Sequence, residues 1–152
     1  MTFTTKRVGV SDLSVLKAML AVFGEAFGEP DTYGARVPSD AYLRDLLGMP
    51  HFFALAALAG DEVVGGLAAY VLEKFEQERS EIYIYDLAVL EGHRRKGVAT
   101  GLIRELQRTA RERGAYIIFV QADPPDEPAI RLYTSLGTRE DVLHFDIPVD
   151  EP

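Results

Sequence analysis

Apolar residues recur along this 152-residue chain in two rhythms, one close to helical spacing and one of strand type, alternating or continuous. Phe3 to Val10 is a short β-prone run that predicts a first strand. Behind Ser11 or Asp12, both capping types, Leu13, Leu16, Leu20, Phe23 and Phe27 recur at helical spacing and stop at Gly28. An acidic, turn-rich loop from Glu29 to Gly34 follows, and Pro38-Ser39-Asp40 opens a second, shorter helix carrying Tyr42, Leu43, Leu46 and Leu47. Phe52 to Ala59 is continuously apolar and of strand length, Gly60-Asp61-Glu62 signals a hairpin, and Val63 to Leu72 predicts the returning strand. The pair Gly65-Gly66 within it predicts a bulge or a close backbone approach.

After a charged connection, Glu73 to Ser80, the run Glu81 to Leu90 predicts the central strand. A strict period of two places Ile82, Ile84, Asp86 and Ala88 on one face and Tyr83, Tyr85, Leu87 and Val89 on the other. Gly97 to Arg113 predicts a long helix with Ala99, Leu102, Ile103, Leu106 and Ala110 facing inward, closed by Gly114. Ala115 to Ala122 is another strand. The acidic proline turn Asp123 to Pro128 leads into a helix with Ala129, Leu132, Tyr133 and Leu136, and Val142 to Val149 alternates as a last strand. The order β-α-α-β-β-β-α-β-α-β predicts an α/β (α+β) fold: a mixed sheet of six to seven strands with helices on both faces. Neither an internal repeat nor a linker divides the chain, so residues 1–152 are expected to form a single domain.

Hydrophobic residues make up 47% and charged residues 26% of the chain, a globular balance that argues against disorder. The formal net charge of −8 argues against general nucleic-acid binding, which needs a basic face, and favours a cationic small substrate or a basic peptide. The chain has no cysteine, which removes disulfides, thiolate metal sites and a cysteine nucleophile. His51, His93 and His144 lack metal-ligand spacing, so no metal is expected. The residues from Met1 to Arg7 lack an apolar targeting core and no run reaches transmembrane length, so a cytoplasmic location without membrane contact is expected.

Two features stand out against this background. Asp86 is a carboxylate inside an otherwise apolar strand, and it is either a functional group or a buried carboxylate paired with a neighbour. Arg94, Arg95 and Lys96 occupy a helix start, where acidic residues are the norm. A bound anion offsets their repulsion from the exposed N–H dipoles, and a helix N-terminus opened by Gly97 is suited to phosphate.

The run Arg94-x-x-Gly97-x-Ala99 after an apolar strand, in this element order, resembles the GNAT acyltransferase superfamily signature. Ala129-Ile130-Arg131-Leu132-Tyr133-Thr134-Ser135-Leu136-Gly137 is similar to that superfamily's later helix landmark. Phe75-Glu76-Gln77, Ser80 to Val89, His93-Arg94-Arg95, Tyr116 with Val120-Gln121-Ala122-Asp123, and His144-Phe145-Asp146-Ile147 are similar to the type I aminoglycoside 3-N-acetyltransferases, the gentamicin acetyltransferases.

This resemblance implies acetyl-CoA as co-substrate. Its pyrophosphate would lie on Arg94, Arg95, Lys96, Gly97, Val98, Ala99 and Thr100, and its pantetheine arm and thioester carbonyl on the backbone of Leu87, Ala88 and Val89. It places Tyr133 at the general-acid position. Asp86, immediately before the thioester-binding stretch, is the candidate general base, or else the group that binds the amine while water carries the proton. Asp31, Tyr33, Glu81, Tyr85, Asp123, Asp126, Glu127 and Asp146 are candidate contacts for a polycationic amino sugar, with Glu81 a second possible base. The implied activity is transfer of acetyl to an aminoglycoside amine, at position 3 by the subfamily likeness, giving resistance, with a homodimer as the expected assembly. Two alternatives stand beside it: the same donor with a polyamine, small amine or protein amine as acceptor, and an acyl-CoA-binding sensor without turnover.

Overall fold

A computed structural model describes residues 2–29, 31, 33 and 37–150. The chain divides into two compact units, Met1–Gln121 and Ala122–Pro152. In the first unit, β1 (Thr4–Arg7), α1 (Leu13–Phe27), α2 (Asp40–Gly48), β2 (Phe52–Ala59), β3 (Glu62–Glu73), β4 (Ser80–Val89), α3 (Val98–Arg113) and β5 (Ala115–Val120) follow in sequence, with a 3-10 turn at Glu91–His93. The strands lie in the order β1-β2-β3-β4-β5. β2, β3 and β4 pair antiparallel across short connections, β1 pairs antiparallel to β2 after the two helices between them, and β5 runs parallel to β4 because α3 carries the chain back.

The helices start and stop where the sequence provides for it. Ser39 caps α2 by accepting from the Tyr42 N–H at 3.2 Å, and the N–H of Gly28, at φ 65°, returns to the last turn of α1. On one face of the sheet Met19 and Phe23 of α1 and Leu43 of α2 pack on Ala54, Ala56, Ala68 and Ala88. Small residues there let the helices come close. A Cβ added at Gly66 would stand 2.9 Å from Met19 Cε, so the glycine pair is a close approach. It is also next to a bulge, since Ala57 pairs with Gly65 but Leu58 with Val63. The opposite face, carrying Leu55, Leu67 and Ile82, is fully buried together with Leu102 and Leu106 of α3.

The second unit contains α4 (Glu127–Leu136), with Asp126 as its N-cap and Pro128 in its first turn. The last strand expected from the sequence is not formed. Val142–Val149 has no strand pairing, and Val142, Leu143, Phe145, Ile147 and Val149 are 73 to 100% exposed. Alternation fits a strand, but a strand also needs a partner for its N–H and C=O groups, and within its own unit, residues 122–150, there is no other strand. Among the described residues the sheet therefore has five strands, not six to seven.

Candidate functional site

The site is built around an irregularity in β4. Ile84 pairs with Ala69 and Asp86 pairs with Ala68, so Tyr85 is skipped. Ala68 and Ala69 are neighbours and face opposite sides of the sheet, hence Ile84 and Asp86 do too. This corrects the expectation from a strict period of two. Ile82 and Ile84 lie on the α3 face, whereas Asp86 and Ala88 turn to the face covered by α1 and α2.

The same register collects aromatic rings beside Asp86. Phe52 pairs with Tyr70, Tyr70 with Tyr83, and Tyr83 with Phe119, forming one row across four strands. Tyr83 stacks flat on Phe119 at 4.7 Å, and Tyr85 stands edge-on to Tyr83 and Tyr70 at 5.5 and 6.1 Å. The Tyr83 hydroxyl donates to Gln121 Oε1 at 3.1 Å. From the α1–α2 connection Tyr33 packs on Phe23 and Phe27 and donates its hydroxyl to Asp86 Oδ1 at 3.1 Å. Four of the chain's seven tyrosines thus surround one carboxylate.

Asp86 is half-buried, and among the described residues no cation lies within salt-bridge distance of it. Loss of solvent raises its pKa above the usual carboxylate value, while the Tyr33 hydrogen bond pulls it part of the way back. Burial, with the Asp86 charge adding, pushes the Tyr33 phenol up to about 12, so Tyr33 stays a donor at neutral pH. Such a carboxylate can accept a proton from an ammonium or bind one as an ion pair.

Downstream of Asp86 the sheet opens. The β4–β5 pairing ends at Ile84 with Val120, so among the described residues of the first unit Tyr85–Val89 has no strand partner on that side. The chain then turns through Glu91–His93 into α3 with two left-handed residues, Arg95 at φ 63° and Gly97 at φ 79°. The turn delivers the chain to the start of α3, whose first N–H groups have no partner within the helix. No atom lies within 4 Å of where a Gly97 Cβ would stand, so the cradle is open, and its residues fit a phosphate group. Lys96 Nζ folds back on the Gly92 carbonyl at 3.1 Å, keeping its charge at the turn. Arg94 Nε donates to the Val89 carbonyl at 3.0 Å and ties the turn to the strand end.

The other expected contacts are distributed unevenly. Asp31 is exposed, two residues before Tyr33. Glu81 lies five residues from Asp86, about 16 Å along a strand. It accepts from Tyr116 at 2.6 Å and from Lys74 at 3.4 Å, and the Tyr116 hydrogen bond holds its pKa below the usual value. Glu81 is thus held by Tyr116 and Lys74 at the entry of the strand, away from Asp86. In the second unit, Asp123 is exposed, Asp126 accepts from the Ala129 N–H at 3.3 Å as a helix cap, Glu127 pairs with Arg131, and Asp146 bonds His144 at 2.9 Å. These acidic residues are engaged separately rather than gathered as a cluster. Burial, with Asp126 adding, pushes the Tyr133 phenol up to about 12, so it is protonated at neutral pH, as a proton donor must be. The sequence missed Tyr70, Phe119 and Gln121, because only strand register brings them together, and it put Tyr83 on the face opposite Asp86. Among the described residues no group of three or more His, Asp or Glu side chains could hold a metal, and no helix is long and apolar enough to cross a membrane.

Residues 17–138 match the acetyltransferase (GNAT) family. The chain belongs to this family. GNAT acetyltransferases use acetyl-CoA. An aminoglycoside acetyltransferase from an uncultured soil metagenomic sample is 56% identical, with a TM-score of 0.97 over 99% of this chain and 100% of that one. A second soil metagenomic aminoglycoside acetyltransferase, solved in complex with sisomicin, is 31% identical, with a TM-score of 0.91 over 97% of both chains. Streptothricin acetyltransferase of Streptomyces lavendulae is 33% identical over 48% of this chain and 39% of its own length. N-acetyltransferase 8B of Rattus norvegicus is 27% identical over 59% of this chain. The alignment spans 40% of that rat protein, so the chain matches well under two thirds of the length of these curated relatives.

The buried Asp86 carboxylate makes a stability prediction. Its folded-state pKa is raised, so ionisation opposes folding at neutral pH and costs nothing below the unfolded-state value. Asp86→Asn keeps an acceptor for Tyr33 and removes the charge. Thermal melts should show the variant above wild type at pH 7, with the gap closing as pH falls through the raised Asp86 pKa toward the ordinary carboxylate range. Equal melting temperatures at pH 7 would refute this account of Asp86.

Proposed function

We propose that this GNAT enzyme transfers acetyl from acetyl-CoA to an amine of an aminoglycoside, at position 3 by the subfamily likeness, and so removes a cation the drug needs to bind RNA phosphates. The observation that carries the proposal is Asp86, a half-buried carboxylate among tyrosines, where β4 leaves β5. Likeness to two aminoglycoside acetyltransferases over nearly their whole length supports the acceptor class, and the net charge of −8 suits a polycation. Both units, residues 1–152 together, serve as one catalytic domain in this proposal, acting in the cytoplasm.

The thioester of acetyl-CoA supplies the acetyl group, and coenzyme A leaves as the thiol. Asp86 binds the acceptor ammonium and takes its proton, freeing the nitrogen lone pair to attack the thioester carbonyl carbon as the carbon–sulfur bond breaks. Backbone N–H groups of Leu87–Val89, without a strand partner on the β5 side, polarise that carbonyl. Tyr133 delivers a proton to the departing sulfur and is reprotonated by the second proton that the acceptor nitrogen sheds, so the amide, the coenzyme A thiol and one proton on Asp86 are the products. The turn from Arg95 to Thr100 holds the pyrophosphate, with Arg94 bracing the turn against β4. A homodimer belongs to the same proposal, carried by the family resemblance.

Thiol release from acetyl-CoA, with sisomicin, spermidine and a basic peptide offered in parallel, tests the acceptor. Rapid turnover with sisomicin is expected, with kcat/KM lowered at least ~100-fold in Asp86→Asn, the lower range for loss of a general base, and lowered kcat in Tyr133→Phe. Turnover with spermidine or peptide alone would transfer the enzyme to another acceptor class, and acetyl-CoA binding without turnover of any acceptor would make it a sensor. Sedimentation should give twice the 16.8 kDa chain mass, and a monomer at micromolar concentration would remove the dimer.

A further inference from the structure

Position and chemistry single out the aromatic row beside Asp86. Its ends are anchored by Phe52, which is buried, and by Phe119, which is half-buried and stacked on Tyr83. The rings between them are therefore fixed before any ligand arrives. Tyr85, forced outward as the skipped residue of the bulge, is 65% exposed and stands across Tyr70 and Tyr83.

Elsewhere this protein fills aromatic faces with its own cations. Arg7 lies 4.3 Å over the Phe53 ring and Arg79 lies 4.0 Å over the Tyr116 ring. Among the described residues no arginine or lysine is recorded over Tyr70, Tyr83 or Tyr85, although Asp86 stands beside them. Burial raises the pKa of the Tyr70 and Tyr83 phenols, so both rings stay neutral at physiological pH. Neutral, fixed, electron-rich rings beside a carboxylate offer a seat for a second cation, next to the one the carboxylate itself holds.

We propose that the acceptor is held by two ammonium groups at once, one at Asp86 and a second over the rings of Tyr70, Tyr83 and Tyr85. This rests on the amine-acetylating function proposed above and adds a requirement to it: the substrate class is a cyclic or branched polyamine, and Tyr85 is a specificity-determining residue. An acceptor with a single amine satisfies Asp86 and leaves the rings empty.

The test compares wild type, Tyr85→Phe and Tyr85→Leu by titration calorimetry with sisomicin and with cyclohexylamine, a single-amine probe. The chain has no tryptophan, so tyrosine near-ultraviolet difference spectra provide an independent readout of ring contact. Tyr85→Leu should weaken sisomicin binding about tenfold, a typical effect for one desolvated cation–π contact, and leave cyclohexylamine binding unchanged. Tyr85→Phe should match wild type. Equal losses for both ligands, no loss in Tyr85→Leu, or a tyrosine spectrum unmoved by sisomicin would overturn the proposal. Thiol release separates this from the proposed function. Sisomicin turnover indifferent to Tyr85 sinks only the second seat, whereas Tyr85-dependent binding without turnover sinks only the acetyl-transfer assignment.

Discussion

Neighbouring residues of a regular strand face opposite sides of their sheet, and a chain can break that rule only by leaving one residue unpaired. Here the unpaired residue is Tyr85, and the rest of the site depends on it. With β4 regular, Asp86 would share the α3 face with Ile82 and Ile84, a carboxylate among fully buried apolar side chains. The bulge moves it to the face of Tyr70 and Tyr83 and within reach of the Tyr33 hydroxyl. The fold tolerates a half-buried charge there because one oxygen has a donor and the surrounding rings are polarisable and partly wet.

The bulge and the parting of β4 from β5 are adjacent in the chain. Strand pairing to β5 stops at Ile84, one residue before Tyr85, and everything from Tyr85 to Val89 is released from that side. A parallel pair that continued would satisfy those backbone groups and close the slot in which a thioester has to lie. Arg94 then ties the turn before α3 to the end of the opened strand through the Val89 carbonyl. Carboxylate, backbone donors and anion cradle come from fifteen consecutive residues, Asp86 to Thr100, so their mutual geometry depends little on distant parts of the chain.

Much of this was legible in the sequence. Helix caps at Ser39 and Gly28, the hairpin at Gly60-Asp61, the glycine approach at Gly66 and the cationic turn before α3 are local features, set by residue types within a few positions of each other. Asp86 stood out because a carboxylate inside an apolar run needs a reason. Register stayed hidden: a bulge has no residue signature in Ile84-Tyr85-Asp86, and alternation carried straight through it puts Asp86 on the wrong face. For the same reason Tyr70 and Phe119 were out of sight, being 15 residues before and 34 after Tyr85 in the chain. For Glu81 and the acidic turn the sequence shows charge but not its partner within the chain, whether Lys74, Tyr116, Arg131 or a helix N-terminus. The last strand failed because alternation describes a segment and pairing requires two.

The central claim is that Asp86, turned by the bulge, receives the acceptor amine. The most direct check is an experimental structure with coenzyme A and sisomicin bound, measuring the distance from each sisomicin nitrogen to the Asp86 carboxylate. The account predicts one nitrogen within hydrogen-bond distance of Asp86 and facing the β4 stretch from Leu87 to Val89. If Asp86 keeps only its Tyr33 hydrogen bond, with every sisomicin nitrogen bound elsewhere, the account is contradicted.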